Sequence, residues 1–109
     1  VIGAEINGAN GFWQITDDAT AATAIENITN AKAGVAYCIE IGEDDTKHQL
    51  TIAKSDKFAN ITAAWTPSQA GDYIMVILGK DEKFRELERR VGGKRTINKA
   101  VQPNVPGGR

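Results

Sequence analysis

Six consecutive apolar residues, Tyr73-Ile-Met-Val-Ile-Leu78, are held between Gly71-Asp72 on one side and Gly79 on the other. A run of that length, bounded by turn residues, reads as a strand covered on both faces. It sits inside residues 50–91, where short apolar runs alternate with turn chemistry: Leu50–Phe58, Ile61–Pro67, Tyr73–Leu78 and Lys83–Val91. The rest of the chain must either add strands to this unit or leave it as a tail.

At 109 residues the chain has room for one domain with a modest core. Eleven glycines against three Phe and one Met favour a turn-rich β protein over a helical bundle. No apolar stretch approaches the roughly 18–20 residues of a membrane helix, so no membrane partner is expected. The chain opens Val1-Ile-Gly-Ala-Glu5, without an initiator Met, a basic flank or a long apolar region. A processed or excised chain lacking a secretory signal is the expectation from that start. Cys38 is the single cysteine, so no internal disulfide can form. It reads as a small buried hydrophobe on a strand. Stability must then come from the core or from oligomerisation.

Several strands follow from alternation. Gly11–Thr16 places Trp13 and Ile15 on one face and Phe12 on the other, and Asp17-Asp18 ends it as a turn. Ala19–Asn30 is ambiguous: its alanines favour a short helical turn, its threonines an irregular segment, with a brief strand expected around Ile25–Thr29. Asn30–Gly34 reads as a turn. Val35–Ile41 then alternates with Val35, Tyr37, Ile39 and Ile41 on one face and Ala36, Cys38 and Glu40 on the other. Leu50–Ala53 and Phe58–Trp65 read as further strands, the second with Ile61, Ala63 and Trp65 sharing a face and Pro67 marking its end. Gly79–Glu82 carries a hairpin turn. Two readings compete for Lys83–Val91. Phe84, Leu87 and Val91 fall at helical spacing, whereas the preceding hairpin signal makes the segment a strand returning along Tyr73–Leu78. Gly92-Gly93 is expected to close a β-rich domain over residues 1–91.

Residues 92–109 differ in charge from everything before them. Residues 1–91 hold nine Lys/Arg against fourteen Asp/Glu, while the tail has Lys94, Arg95, Lys99 and Arg109 and no acid. Pro103, Pro106 and Gly107-Gly108 leave the tail unable to build a core, so it reads as an extended basic arm that orders against a partner. Four charges without interleaved aromatics make a thin nucleic-acid footprint, and docking onto protein is the stronger expectation.

Catalytic signals are missing. There is no phosphate-binding glycine loop, dinucleotide fingerprint or H-E-x-x-H pair. One His and one Cys cannot furnish a structural zinc site, and His48 lies in a polar stretch with no nucleophile elbow near any Ser. Glu43-Asp44-Asp45 lacks the spacing of an EF-hand loop and reads as solvated turn acids. No cofactor, metal or catalytic residue is expected. Trp13, Trp65 and Tyr73 are the aromatics of interest, either as packing and interface residues or, for an exposed Trp13 or Trp65, as a carbohydrate-binding platform.

The order Thr51-Ile-Ala-Lys-Ser55, Lys57-Phe58, Ile61-Thr-Ala-Ala-Trp-Thr-Pro67, Gly71-Asp-Tyr-Ile-Met-Val-Ile-Leu78 and Lys83-Phe-Arg-Glu-Leu87 resembles a small β module of tailed-phage virion proteins. That module occurs in head-decoration, capsid and tail-associated chains, and the likeness spans about residues 24–91. It implies a mainly β fold, a small antiparallel β-sandwich or barrel-like domain with an extended C-terminal arm, and a strand at Lys83–Val91. It also implies a non-enzymatic role in the virion as a capsid decoration or surface domain. Partners would be other virion proteins such as the major capsid protein, or further copies of the chain, for instance in a trimer. On that reading Lys94, Arg95, Lys99 and Arg109 contact neighbours and Trp13, Trp65 and Tyr73 serve packing or interface. The alternative function is a carbohydrate-binding module.

Overall fold

A computed structural model describes residues 5–16, 23–42 and 50–98. The chain is mainly β. Its strands are β1 (Glu5–Asn7), β2 (Trp13–Thr16), β3 (Thr23–Ala24), β4 (Asn27–Thr29), β5 (Ala36–Ile41), β6 (Leu50–Thr51), β7 (Tyr73–Leu78), β8 (Phe84–Val91) and β9 (Lys94–Ile97). The main sheet has five strands in the order β2-β5-β7-β8-β9, with β5, β7, β8 and β9 antiparallel in succession. It is open, and no barrel closes among the described residues.

The antiparallel unit follows the alternation in the sequence. In β7, Ile74, Val76 and Leu78 are buried while Tyr73, Met75 and Ile77 are half-buried. Beyond it, three parallel pairs join the N-terminal half in strict order: β1 with β4, β2 with β5, β3 with β6. The chain thus makes one pass through β1, β2 and β3 and lays a second pass, β4, β5 and β6, alongside it, in the manner of stacked solenoid coils. Alternation within a strand carries no information about such pairing, so the parallel passes were not expected.

The core lies between the inner face of the sheet (Tyr37, Ile39, Ile74, Val76, Leu78, Phe84) and a cover made by Ile6, Ile25, Ile28, Ile52, Phe58, Ile61 and Trp65. The Phe58–Trp65 segment, expected as a strand, is instead a series of turns, with only isolated bridges from Asn60 to Arg85 and from Trp65 to Ile52. Phe58, Ile61 and Trp65 are the buried positions, separated by three and four residues; a strand's two-residue period cannot place all three inward. The Phe58 and Phe84 rings stack, with centroids 5.0 Å apart.

Lys83–Val91 is a strand over Phe84–Val91, as the hairpin reading requires. The boundary expected after Val91 is corrected: Gly92-Gly93 is the turn of a tight hairpin, and Lys94–Ile97 returns along β8 as a fifth strand. Val91 pairs with Lys94, leaving a two-residue loop whose φ values are +61° and +80°. Two adjacent left-handed positions are the geometry of a type I′ turn, which Gly-Gly fills without steric cost. A basic arm could therefore start only after β9. Asp17-Asp18, Glu43-Asp44-Asp45, His48, Lys99 and Arg109 lie outside the described residues.

The two passes touch closely at Gly8. A Cβ there would stand 2.9 Å from the Thr29 carbonyl oxygen and 3.1 Å from both Ile28 Cγ2 and Tyr37 Cε1. Gly8→Ala is expected to cost roughly 1–3 kcal/mol of stability by forcing the passes apart. Urea unfolding checks this, and an unchanged midpoint would refute the close apposition.

Candidate functional site

Cross-strand partners share a face of a sheet, so the register defines rows of side chains. One row crosses all five strands: Trp13, Cys38, Met75, Glu88, Ile97. It lies on the face opposite the core. Trp13 and Ile97 at its ends are 47% and 41% exposed, and Phe12 beside Trp13 is 42% exposed. Cys38, between Trp13 and Met75 in the row, is 0% exposed. A second row places Glu40, Tyr73, Arg90 and Arg95 alongside. No layer among the described residues covers this outer face.

Polar contacts hold the rows in place. Trp13 Nε1 donates to Glu40 Oε1 at 2.5 Å, and the Trp13 ring is tilted against Phe12 and Tyr73, with centroids 5.9 and 6.0 Å away. The Tyr73 hydroxyl donates to Glu88 Oε2, on which Arg95 Nε also converges at 3.0 Å. The Tyr73 hydrogen bond comes first in holding the Glu88 carboxyl below its ordinary range, with Arg95 adding to it. Burial, with the Glu88 contact, pushes the Tyr73 phenol up to about 12. Burial, reinforced by the Glu40 and Glu88 carboxylates, likewise pushes the Cys38 thiol up to about 12. Cys38 is thus a buried thiol whose ionisation its surroundings disfavour.

The alternation of β8 is broken by a bulge. Val76 pairs with Glu86 and Met75 with Glu88, leaving Leu87 as the extra residue. Phe84 and Glu86 face the core, and after the bulge Glu88 faces out and Arg89 in. Glu86 and Arg89, three residues apart, would sit on opposite faces of a regular strand. Here they meet. Arg89 Nη2 lies 2.7 Å from Glu86 Oε1 and Arg89 Nε 3.0 Å from Oε2. Glu86, 0% exposed, also accepts from the Thr62 amide and hydroxyl at 3.1 Å, while Arg89 donates to the Ala63 and Ala64 carbonyls. Burial alone would raise the Glu86 pKa, but Arg89 and Thr62 hold it below the ordinary value.

A second buried carboxylate pins the sheet's other end. Asp72 accepts from the amides of Ser68, Gln69, Gly92 and Gly93 at 2.8–3.2 Å, joining the turn before β7 to the β8–β9 hairpin. Burial acts to raise its pKa, and these amide hydrogen bonds outweigh burial and lower it.

The residues expected at a site are thus distributed unevenly. Trp13 and Tyr73 come together on the outer face. Arg95 joins them through Glu88, and Lys94 sits exposed next to it on the edge strand. Trp65 is 0% exposed in the core, so it cannot present its ring to a sugar. Asp72, Glu86 and Arg89 carry no sequence signal of their importance beyond a Gly-Gly pair and an acid three residues before a base. Among the described residues no three His, Cys, Asp or Glu side chains cluster to hold a metal, and no helix is long and apolar enough to cross a membrane. No protein family model, curated protein or solved structure matches the chain.

Two outcomes follow from the buried carboxylates. Glu86→Gln leaves the Arg89 guanidinium without its counter-charge and is expected to lower stability by about 3–5 kcal/mol, read as the shift in chemical denaturation at neutral pH. Asp72 and Glu86 have folded pKa values below their unfolded ones, so their stabilisation is complete above the ordinary carboxylate range and is lost as pH falls from that range through the lowered folded values. Asp72→Asn should lower stability at neutral pH and flatten the acid limb of the stability–pH curve. An acid limb as steep as that of the unmodified chain would show that Asp72 does not contribute to it.

Proposed function

We propose that this chain is a non-enzymatic structural module of a phage-type particle, a capsid decoration or virion-surface domain, and that it assembles through the outer face of its five-stranded sheet. The row from Trp13 to Ile97 carries the reading. Exposed Phe12, Trp13 and Ile97 at the two edges of this face, with Met75 half-buried between them, are the kind of apolar surface a subunit contact buries. The charges on the face support it too: Glu88 is engaged by Arg95 and Tyr73, and Glu40 by Trp13, so docking need not strip a bare carboxylate of water. Aromatic residues and arginine amid aliphatic neighbours are also the composition enriched at interface centres.

The likeness of residues 24–91 to virion β modules supplies the setting, with neighbouring subunits, copies of this chain or the capsid protein as partners. A closed ring such as a trimer would bury the face without leaving it open to further growth. Lys94 on β9, and Lys99 and Arg109 later in the sequence, are then the basic contacts to an adjoining subunit. Arg95 would serve the contact through Glu88.

Sedimentation across a concentration series tests this. The expected result is self-association that Trp13→Ser abolishes while the unfolding midpoint is kept. Truncation after Asn98 should leave the sheet folded and weaken the assembly. A Trp13→Ser variant that associates unchanged would overturn the assignment of this face, and a chain that stays monomeric at every concentration would remove copies of itself as the partner.

A further inference from the structure

A groove of about 260 Å³ lies away from the outer face, between β4 and the turn joining β7 to β8. Its apolar side includes Ile28, Leu78 and Phe84, all buried members of the core, and its polar lining includes Asn27, Asn30, Lys57 and Glu82. Two features set it apart from an ordinary surface crease.

The first is backbone conformation. Only two non-glycine residues among those described have positive φ, Asn30 at +57° and Glu82 at +63°, and both line this groove. Glu82 occupies the turn in which the Gly79 amide donates to the Lys83 carbonyl and the Glu82 amide to that of Gly79. The left-handed position of such a bulged hairpin is the one glycine normally fills. A side chain there costs on the order of 1–2 kcal/mol. Strained non-glycine positions of this kind concentrate where a side chain is needed for binding.

The second feature is polar groups left to spare. Neither Lys57 nor Glu82 takes part in any ion pair among the described residues, with each other or with a third group. Asn30 uses its Nδ2 on Asn7 Oδ1 at 2.9 Å, which leaves its carbonyl oxygen for the groove. The backbone under Lys57 is fixed, because its carbonyl accepts from the Phe84 amide at 2.7 Å. The rim therefore offers an ammonium, a carboxylate and amides, with no net charge and with donors beside acceptors. A single cation opposed by an acid is a poor phosphate or nucleic-acid site, and one carboxylate is a poor metal site. Hydroxyl groups, each able to donate and accept, fit such a rim.

We infer that this groove binds a neutral polyhydroxylated ring, one sugar residue at a glycan end or branch, with Glu82, Lys57 and the Asn30 side chain holding its hydroxyls above a floor closed by the core. The site stands apart from the assembly face, and its test does not depend on assembly. It also moves sugar recognition away from the tryptophans: Trp65 is buried, and Trp13 is already hydrogen-bonded to Glu40 and flanked by rings.

The experiment is an amide-resolved NMR titration of the whole chain with a panel of methyl pyranosides, with glycylglycine as a zwitterionic probe. Saturable shifts confined to residues 27–31, 57 and 78–84, caused by at least one glycoside and not by the dipeptide, are expected. Glu82→Gly then separates binding from structure, because it relieves the left-handed strain. Thermal stability should rise while glycoside affinity falls by about tenfold or more, the effect of losing a hydrogen bond to a charged group. Lys57→Met should weaken binding without raising stability, and Trp13→Ser should leave it unchanged. No saturable shift with any glycoside, a response to the dipeptide alone, or unaltered affinity in Glu82→Gly would each overturn the inference.

Discussion

The buried pair of Glu86 and Arg89 sets the orientation of most side chains that matter in this domain. It exists because Leu87 is an extra residue in β8, and the extra residue inverts the order of inward and outward side chains beyond it. Without the bulge Glu88 and Arg90 would point at the core and Arg89 at solvent. With it, Arg89 reaches across to the carbonyls of Ala63 and Ala64 and ties the irregular segment above Phe84 to the sheet. The same inversion turns Glu88 outward, where it completes the row from Trp13 to Ile97. A buried charge pair on one face and an acid, Glu88, within the outer row on the other are two results of a single inserted residue.

Asp72 plays the corresponding part at the far end of the sheet. Four amides from two separate turns converge on one carboxylate, so the turn before β7 and the hairpin after β8 cannot shift independently. Between these two anchors the strands β5, β7 and β8 keep a fixed register, and the outer face inherits its shape from them. The groove beside Glu82 lies at the opposite end of β7 from Asp72, with Leu78 in its lining, so two different surfaces are presented by one rigid sheet.

Much of this was legible in the sequence and some was not, for identifiable reasons. The β7 strand, the β5 strand and the turn at Gly79 to Glu82 follow from alternation and turn chemistry, because those signals are local. Gly92-Gly93 was misread as an ending: a glycine pair marks a left-handed turn but does not say whether the chain returns along β8. Phe58 to Trp65 looked like a strand because Ile61, Ala63 and Trp65 alternate; burial instead selects Phe58, Ile61 and Trp65. The parallel pairing of the two N-terminal passes depends on contacts more than twenty residues apart, such as Ile6 with Ile28, which no local period encodes. Trp13 and Tyr73, the aromatics that the sequence singles out, lie side by side on the outer face. The strained Glu82 was not legible, since left-handed backbone is invisible until the turn is built.

The paired passes also set an order of events. Every ladder partner of β1, β2 and β3 in the described sheets is supplied by β4, β5 and β6, whereas β7, β8 and β9 form a meander of sequential neighbours joined by short turns. Closing short loops is entropically cheaper than closing long ones. The meander is then the nucleus, and the leading segment has no template until the second pass is in place. β1, β2 and β3 can therefore form their ladders only once β4, β5 and β6 are there to pair with.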